Sequence, residues 1–219
     1  EALAELNPLA EDSSDHYLYT EIHYRISAAH YALQDYQTSR EKIEEFLEEY
    51  PLHQRAPEAR VLRGDVLMGQ GELIAASSAF AEVTPEAESL FAYAVFQRGK
   101  IFKALERYDL MREHFTEYLD RDDLDPKPRM SEALYWLGWA YLQEDDTEAA
   151  LARFDQAIEK FGNDPSTEES QALIAAYESL RNDLLRNPGK VLPDHPIIAA
   201  EDFSAWLQMQ IDEALSEDR

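Results

Sequence analysis

Three histidines are the first residues in the chain whose type and spacing could bind a metal ion. His16, His23 and His30 recur every seven residues. Seven residues of α-helix rise roughly 10 Å along the axis, whereas two helical histidines that share one ion stand a single turn apart. The heptad spacing therefore argues against a metal site. We interpret His23 and His30 as residues of the seam between two helices of a hairpin.

Carboxylates offer a second possible metal site. Asp120, Asp122, Asp123 and Asp125 form an acidic loop, and flexible clusters of carboxylate oxygens suit Ca²⁺. Their spacing is not that of an EF-hand loop, and Pro126 follows at once, so we interpret the loop as a solvated turn. A run of glutamates is interpreted as a water-facing helix surface, with a patch for a basic partner as the alternative: Glu41, Glu44, Glu45, Glu48 and Glu49.

Catalytic motifs are missing from the sequence. It has no nucleophile elbow, no phosphate-binding glycine loop and no zinc-protease histidine pair. The cysteine count is zero, which excludes disulfides, thiolate metal sites and cysteine nucleophiles. We therefore predict no catalytic residues, no metal and no cofactor, and a protein that is not an enzyme.

The charge of the chain restricts its partners. The formal net charge is -25 at pH 7, and such a surface repels phosphate backbones and anionic lipid headgroups. Nucleic acid is therefore not expected as a partner, whereas basic proteins, cationic peptides and divalent cations remain open. No apolar run approaches the roughly 20 residues that cross a bilayer, so direct membrane insertion is not expected either.

The elements that must position any site are helices. Apolar residues recur at helical spacing, and no persistent alternation of apolar and polar residues predicts a strand. Thr147 is the predicted N-cap of the helix that follows the polar turn before it. Ten helices are predicted, at 15–34, 37–50, 57–69, 72–83, 86–104, 107–120, 129–143, 147–161, 167–186 and 200–217.

Three glycines within these helices recur 35 and 39 residues apart. Gly64, Gly99 and Gly138 each lie in the middle of an apolar segment, and each is followed by a phenylalanine in the next predicted helix. A glycine inside a helix costs about 1 kcal/mol relative to alanine. Close approach of a neighbouring helix is the simplest compensation. Self-similarity at this period is typical of a solenoid of helical hairpins.

One stretch resembles the signature of the tetratricopeptide repeat (TPR) family. Leu134, Gly138 and Tyr141, followed by Ala150 and Phe154, fall at the spacing of that family. Gly64 with Phe80 and Gly99 with Phe115 resemble it in part, and the resemblance extends weakly to Ser27 and Ser39, covering roughly 17–165. It implies an all-α solenoid of stacked antiparallel hairpins. The acid-rich turns resemble bacterial members involved in envelope assembly, which favours a periplasmic or envelope-associated location.

The resemblance also implies a concave groove lined by the first helix of each hairpin. Lys100 and Lys103 are the residues that could neutralise a carboxylate of a ligand there. The aromatic residues either pack against adjacent hairpins or anchor a peptide, and both interpretations stay open. The mapped face comprises Tyr24, Ala28, Tyr31, Val61, Asp65, Met68, Phe96, Lys100, Lys103, Tyr135, Trp139 and Leu142. The candidate peptide contacts are Tyr24, Tyr31, Met68, Phe96, Lys100, Lys103, Tyr135 and Trp139.

The predicted organisation has three parts. Residues 1–14 are either the tail of a truncated helix that Asn7-Pro8 ends or a linker, and an earlier hairpin is expected before them. Residues 15–165 form about four hairpins, and 166–219 cap the array, with 200–217 over its open end. We predict a non-catalytic scaffold that binds a partner's peptide or helix. The alternative is a spacer or self-association module of a larger protein, for which oligomerisation is expected.

Overall fold

The computed structural model describes residues 2–12, 16–124, 127–162, 168–186 and 209. Within these ranges the chain is all-helical and has no β-strand. A short 3-10 helix at Pro85–Ala87 precedes α6. The α-helices are α1 Ala2–Asp12, α2 His16–Ala32, α3 Tyr36–Glu49, α4 Ala56–Gly69, α5 Leu73–Ala81, α6 Ser89–Ala104, α7 Tyr108–Leu119, α8 Met130–Gln143, α9 Thr147–Gly162 and α10 Glu168–Arg186.

The predicted helices from 15–34 to 167–186 all match observed helices to within three residues at each end. The largest difference is at 86–104, where Glu88 takes a positive φ of 47° and separates the 3-10 turn from α6. The predicted capping helix at 200–217 lies outside the described residues apart from Met209.

The prediction that Asn7-Pro8 ends a helix is wrong. Pro8 lies inside α1, which continues to Asp12. A proline removes one backbone hydrogen bond and crowds the preceding turn, at a cost of about 3 kcal/mol. Packing of α1 against α2 supplies the compensating contact that the sequence pattern did not reveal.

The chain divides into two compact units, and the first is Glu1–Leu105. In it each helix from α1 to α5 packs against its successor, and the first helices of the hairpins, α2, α4 and α6, also touch in sequence. Two apolar clusters fill the space between them. One is centred on Ile43, Phe46 and Val66, and the other on Phe80 and Ile101. Burying one such side chain stabilises the fold by about 1.5–3 kcal/mol.

The second unit is Glu106–Arg219. Its helices α7, α8, α9 and α10 also pack in sequence. Phe154 of α9 stacks on Tyr177 of α10 with ring centroids 5.6 Å apart. The Tyr177 hydroxyl donates to the Ser131 carbonyl of α8 over 2.8 Å. This buried hydroxyl therefore has its polar partner, and α10 is held to the preceding hairpin by rings and by a hydrogen bond.

Two of the repeat glycines make room for a phenylalanine sixteen positions later. A Cβ added to Gly64 would lie 2.5 Å from a Phe80 ring carbon, and one added to Gly138 would lie 2.6 Å from Phe154. Both distances are far shorter than van der Waals contact. The expected close approach is thus confirmed at Gly64 and Gly138, and the neighbouring group is a ring rather than a backbone.

The first hairpin solves the same packing problem differently. Ser27 of α2 replaces the glycine, and Ile43 of α3 stands where the other hairpins have phenylalanine. Ser27 Oγ donates to the Ser39 carbonyl, and Ser39 Oγ donates to the Ser27 carbonyl, each over 2.9 Å. Both serines are fully buried. A larger residue on one helix is therefore matched by a smaller one on the other, and the added hydroxyls are satisfied.

The turn inside each hairpin ends its first helix on a left-handed residue. These residues are Gln34, Gly71, Glu106 and Asp145, with φ between 54° and 78°. In three of these turns the next amide donates to the carbonyl five residues back, as in Asp146 to Tyr141, which is the Schellman closure. The predicted N-cap Thr147 is wrong by one residue, because Asp146 Oδ1 accepts from the Ala149 amide over 3.0 Å.

Candidate peptide-binding face

In the first unit, residues of α2, α4 and α6 share one surface, which we call the first-unit face; it carries Tyr24, Tyr31, Asp65 and Tyr93. Tyr24 and Tyr31 are half-buried. The Tyr24 ring lies 6.3 Å from that of Phe46. One side of each tyrosine therefore packs on the core while part of it faces solvent.

Asp65 is the central polar group of this face. The Tyr93 hydroxyl of α6 donates to Asp65 Oδ1 of α4 over 2.8 Å, and the Gln97 amide donates to the Tyr93 oxygen. Burial raises the pKa of Asp65 to about 6, against the lowering effect of the Tyr93 hydrogen bond. Its charge in turn raises the pKa of Tyr31 and Tyr24, after the larger effect of their own burial. The Asp65 charge on α4 therefore acts on both tyrosines of α2.

Arg55, a basic residue at the edge of this face, is already paired with carboxylates of the same unit. Arg55 forms ion pairs with Glu21 at 2.9 Å and with Glu58 at 3.0 Å, and its guanidinium lies 5.6 Å from the Tyr24 ring centroid. Glu21 is also paired with Arg25. These arginines hold the pKa of Glu21 below its usual range, chiefly through the Arg55 hydrogen bond.

In the second unit, Tyr135, Trp136 and Trp139 of α8 are buried. Tyr135 is 0% exposed and Trp139 is 7% exposed. The Trp139 ring contacts those of Tyr108 and Trp136, with centroids 5.6 and 5.8 Å away. Burial also raises the pKa of Tyr135 well above its ordinary value. Ring-to-ring packing therefore occupies the surface that these residues would offer to a ligand.

The buried carboxylate of α8 is neutralised within its own helix turn. Glu132 accepts from the Arg129 guanidinium over 2.7 Å and from the Trp136 indole N–H over 3.2 Å. A cation and a neutral donor thus share the two oxygens of one carboxylate.

Comparison with known proteins assigns the family. The Tetratricopeptide repeat family model matches residues 24–93 and 96–165. The chain belongs to the tetratricopeptide repeat family. Both matched stretches lie within 15–165, and the all-α solenoid that the resemblance implies is confirmed. Family and fold place the chain among protein-interaction scaffolds.

Two solved structures are similar to this chain. The chain is similar to the structure of MamA RS-1 ArsTM double mutant, with a TM-score of 0.52 and 16% identity over 90% of this chain and 97% of that one. It is also similar to the Rap conjugation gene regulator of the plasmid pLS20 in complex with the Phr* peptide, with a TM-score of 0.49 and 16% identity over 97% of this chain and 68% of that one. No curated protein matches the chain.

The TPR helices place the predicted peptide contacts in different environments. In the first unit Lys100 is exposed, whereas Met68 and Lys103 are half-buried. Phe96 is 2% exposed and belongs to the core. The burial of Phe96, Tyr135 and Trp139 supports the packing interpretation for those three, and their contact with a ligand stays a prediction.

The other candidate sites of the sequence give no metal centre within the described residues, where no group of three potential ligands is suitably arranged. His30 Nδ1 lies 2.9 Å from Asp35 Oδ2 in the first hairpin turn. His23 packs on Tyr19 with centroids 4.1 Å apart. In the acidic loop, Asp123 is paired with Arg121. Across the described ranges, every helix is too short or too polar to span a bilayer.

Tyr93 and Gln97 are the residues of this face that sequence reasoning missed. Asp65 was mapped to the face, but its partner lies 28 positions away on another helix. The available signal was positional, because Tyr93 and Gln97 lie one turn apart in α6 and flank the mapped residue Phe96. The pattern gave no reason to prefer this pair over other polar residues of α6.

Proposed function

We propose that this TPR protein is a non-catalytic scaffold that binds a peptide or helix of a partner on the first-unit face. The observation that carries the proposal is the pair of half-buried tyrosines, Tyr24 and Tyr31, beside the Asp65–Tyr93 hydrogen bond. Tyrosine offers a large contact area for little loss of rotamer entropy and is enriched in binding hot spots. The Asp65–Tyr93 pair beside the rings offers polar groups that fix the orientation of a bound peptide.

The proposal uses the open face rather than the buried rings. Tyr135 and Trp139 are packed inside the second unit, so their alanine variants are expected to reduce stability before they report on binding. Tyr24 and Tyr31 are the sharper test positions because part of each ring is accessible. Met68 of α4 and Lys100 of α6, two further predicted peptide contacts, belong to the same proposed contact surface.

The test is selection of peptides that bind the purified chain from a displayed random library, followed by measurement of their Kd. Tyr24→Ala and Tyr31→Ala are each expected to weaken the selected peptides by about tenfold, the loss of one hot-spot ring. Tyr50→Ala, which removes a half-buried ring from the end of α3, is the matched control and is expected to leave the Kd unchanged. Equal effects of all three variants, or no selected peptide, would contradict the proposal.

A second candidate function, self-association, is favoured by an apolar cleft near the α4–α5 turn. The cleft measures about 530 Å³ and is lined by Leu73, Ile74, Ala75 and Leu105 among others. Ile74 is 75% exposed, and apolar patches of this kind often mark protein interfaces. Light scattering separates the two functions: a stable oligomer that Ile74→Lys dissociates supports self-association, and a monomer at all concentrations contradicts it.

A further inference from the structure

The carboxylate of Asp65 is partly withdrawn from solvent, as are those of Glu21 and Glu132, and it differs from both in its partners. Glu21 is bonded to Arg55 and Arg25. Glu132 is bonded to Arg129. Asp65 accepts only from the neutral Tyr93 hydroxyl, and within the described part of the chain no lysine, arginine or histidine acts on it.

We propose that Asp65 accepts a cationic side chain, arginine or lysine, from the peptide or helix that binds the first-unit face. This inference rests on the proposed function and names the chemistry of its ligand. A carboxylate in an apolar setting is costly unless a cation and hydrogen bonds compensate it. The partner thus supplies to Asp65 the positive charge that Arg129 supplies to Glu132.

One oxygen of the Asp65 carboxylate has no hydrogen-bond donor among the described residues. The Tyr93 hydroxyl occupies Oδ1, so Oδ2 is the oxygen available to an incoming donor. The rings of Tyr24 and Tyr31 lie near enough for the Asp65 charge to act on both. Aromatic faces attract guanidinium and ammonium groups, and the Arg55 guanidinium already lies over the Tyr24 ring. The same face therefore provides both an anionic and an aromatic contact.

Among the described residues, no basic side chain takes this place. Arg55 is bound to Glu21 and Glu58. Lys100 and Lys103 belong to α6, but neither contributes to the pKa of Asp65, which is set by burial and by Tyr93. The net charge of -25 favours approach of a basic segment over an acidic one. Charge complementarity thus selects the same class of partner as the local geometry.

The experiment uses two synthetic probes and the whole chain. One is an acetylated, amidated heptapeptide with a single central arginine between leucines, and the other carries citrulline, the neutral isostere, at that position. Both are titrated into the isotopically labelled protein, and Kd is obtained from NMR shifts. The arginine peptide is expected to bind about tenfold more tightly, the preference typical of a charge-assisted contact.

Two variants test which residue is responsible for the preference for the arginine peptide. Asp65→Asn keeps the shape and the acceptor for Tyr93 and is expected to abolish the difference between the two peptides. Glu48→Gln removes one charge from an exposed position of α3, and is expected to preserve it. The comparison of the two peptides on the unchanged protein needs no variant, so equal affinities would contradict the proposal even if Asp65→Asn folds poorly.

Three results would overturn the inference. Equal affinity for both peptides, with Tyr31→Leu weakening both, removes the cation contact and leaves the proposed binding face intact. Absence of binding by either peptide also overturns the cation contact, and the proposed function is then decided by the library selection alone. A preference for arginine that persists in Asp65→Asn assigns the charge recognition to another residue and equally contradicts the proposal.

Discussion

Asp65 of the first unit and Trp139 of the second each directly follow a repeat glycine, Gly64 or Gly138. They occupy the same position of the TPR frame, yet their environments are opposite. Asp65 is a half-buried carboxylate held by one neutral hydroxyl, whereas Trp139 is 7% exposed and packed between two other rings. The repeat frame therefore determines where a side chain lies, and neighbouring helices determine whether it remains available to a partner.

The largest expected effect tests whether Trp139 is a packing residue. Trp139→Ala should lower the free energy of unfolding by about 3–5 kcal/mol, because it removes a buried ring and leaves a cavity. Tyr31→Ala on the first-unit face should cost about 1 kcal/mol, because that ring is already partly solvated. Urea titration followed by circular dichroism measures both. If Trp139→Ala costs less than Tyr31→Ala, the result contradicts the packing role and favours Trp139 as a peptide contact.

The next effect tests the charge balance of the second unit. Arg129→Met leaves Glu132 withdrawn from water without its cation, and we expect a loss of about 2 kcal/mol, reduced by solvent at the partly exposed Arg129 side chain. Arg107→Met breaks an exposed ion pair with Asp109 and serves as the control, with no comparable loss expected. The two variants are compared by urea denaturation at pH 7, and equal losses would refute the buried-pair explanation.

Asp65 should show the opposite behaviour, because its charge has no basic partner. Its folded pKa of about 6 lies above the ordinary 3.8, so the stabilising contribution is complete below the ordinary value and is lost as pH rises through 6. Tyr93, Tyr24 and Tyr31 have pKa values above 10 and stay neutral in that window.

The measurement is the stability of Asp65→Asn relative to the unchanged protein between pH 4 and 8. After allowance for solvent screening we expect the variant to gain about 1–2 kcal/mol over this interval. Glu48→Gln, which alters an exposed carboxylate, should show no such trend. A flat difference for Asp65→Asn would show that the carboxylate is solvated and would weaken the contrast with Glu132.

The smallest effects concern the turns, where the two units are alike. Gly71 has a φ of 78° and open space beside its Cα, so Gly71→Ala should cost about 1 kcal/mol through backbone strain alone. Asp145→Gly, at a φ of 60° in the second unit, should gain about 0.5 kcal/mol by relieving the same strain, less the entropy that glycine adds to the unfolded chain. Thermal unfolding measures both variants, and the Tm should fall for Gly71→Ala and rise for Asp145→Gly.

Periodicity was sufficient to predict the helices and their hairpin order. The apolar stripes of α8 and α9 and the 35- and 39-residue glycine spacing depend on local geometry, which a sequence carries directly. The close contacts at Gly64 and Gly138 followed from the cost of a helical glycine. These features were predictable because each follows from a few neighbouring residues.

Exposure and pairing were not predictable in the same way. Tyr24 and Tyr135 occupy equivalent positions, three before Ser27 and Gly138, but only Tyr135 is fully buried. The difference depends on side chains from other helices. The helix through Pro8 and the Asp65–Tyr93 bond also depend on tertiary contacts, which periodicity does not encode.

The paired serines of the first hairpin restrict how this protein can diverge. Each hydroxyl donates to the backbone carbonyl of the other serine. Replacing Ser27 alone therefore removes the side-chain donor to the Ser39 carbonyl, and replacing Ser39 alone removes the donor to the Ser27 carbonyl. A lineage that moves this hairpin toward the glycine–phenylalanine solution must alter Ser27, Ser39 and Ile43 in a coordinated order. The first hairpin is therefore the part of the array where substitutions should be inherited as sets rather than singly.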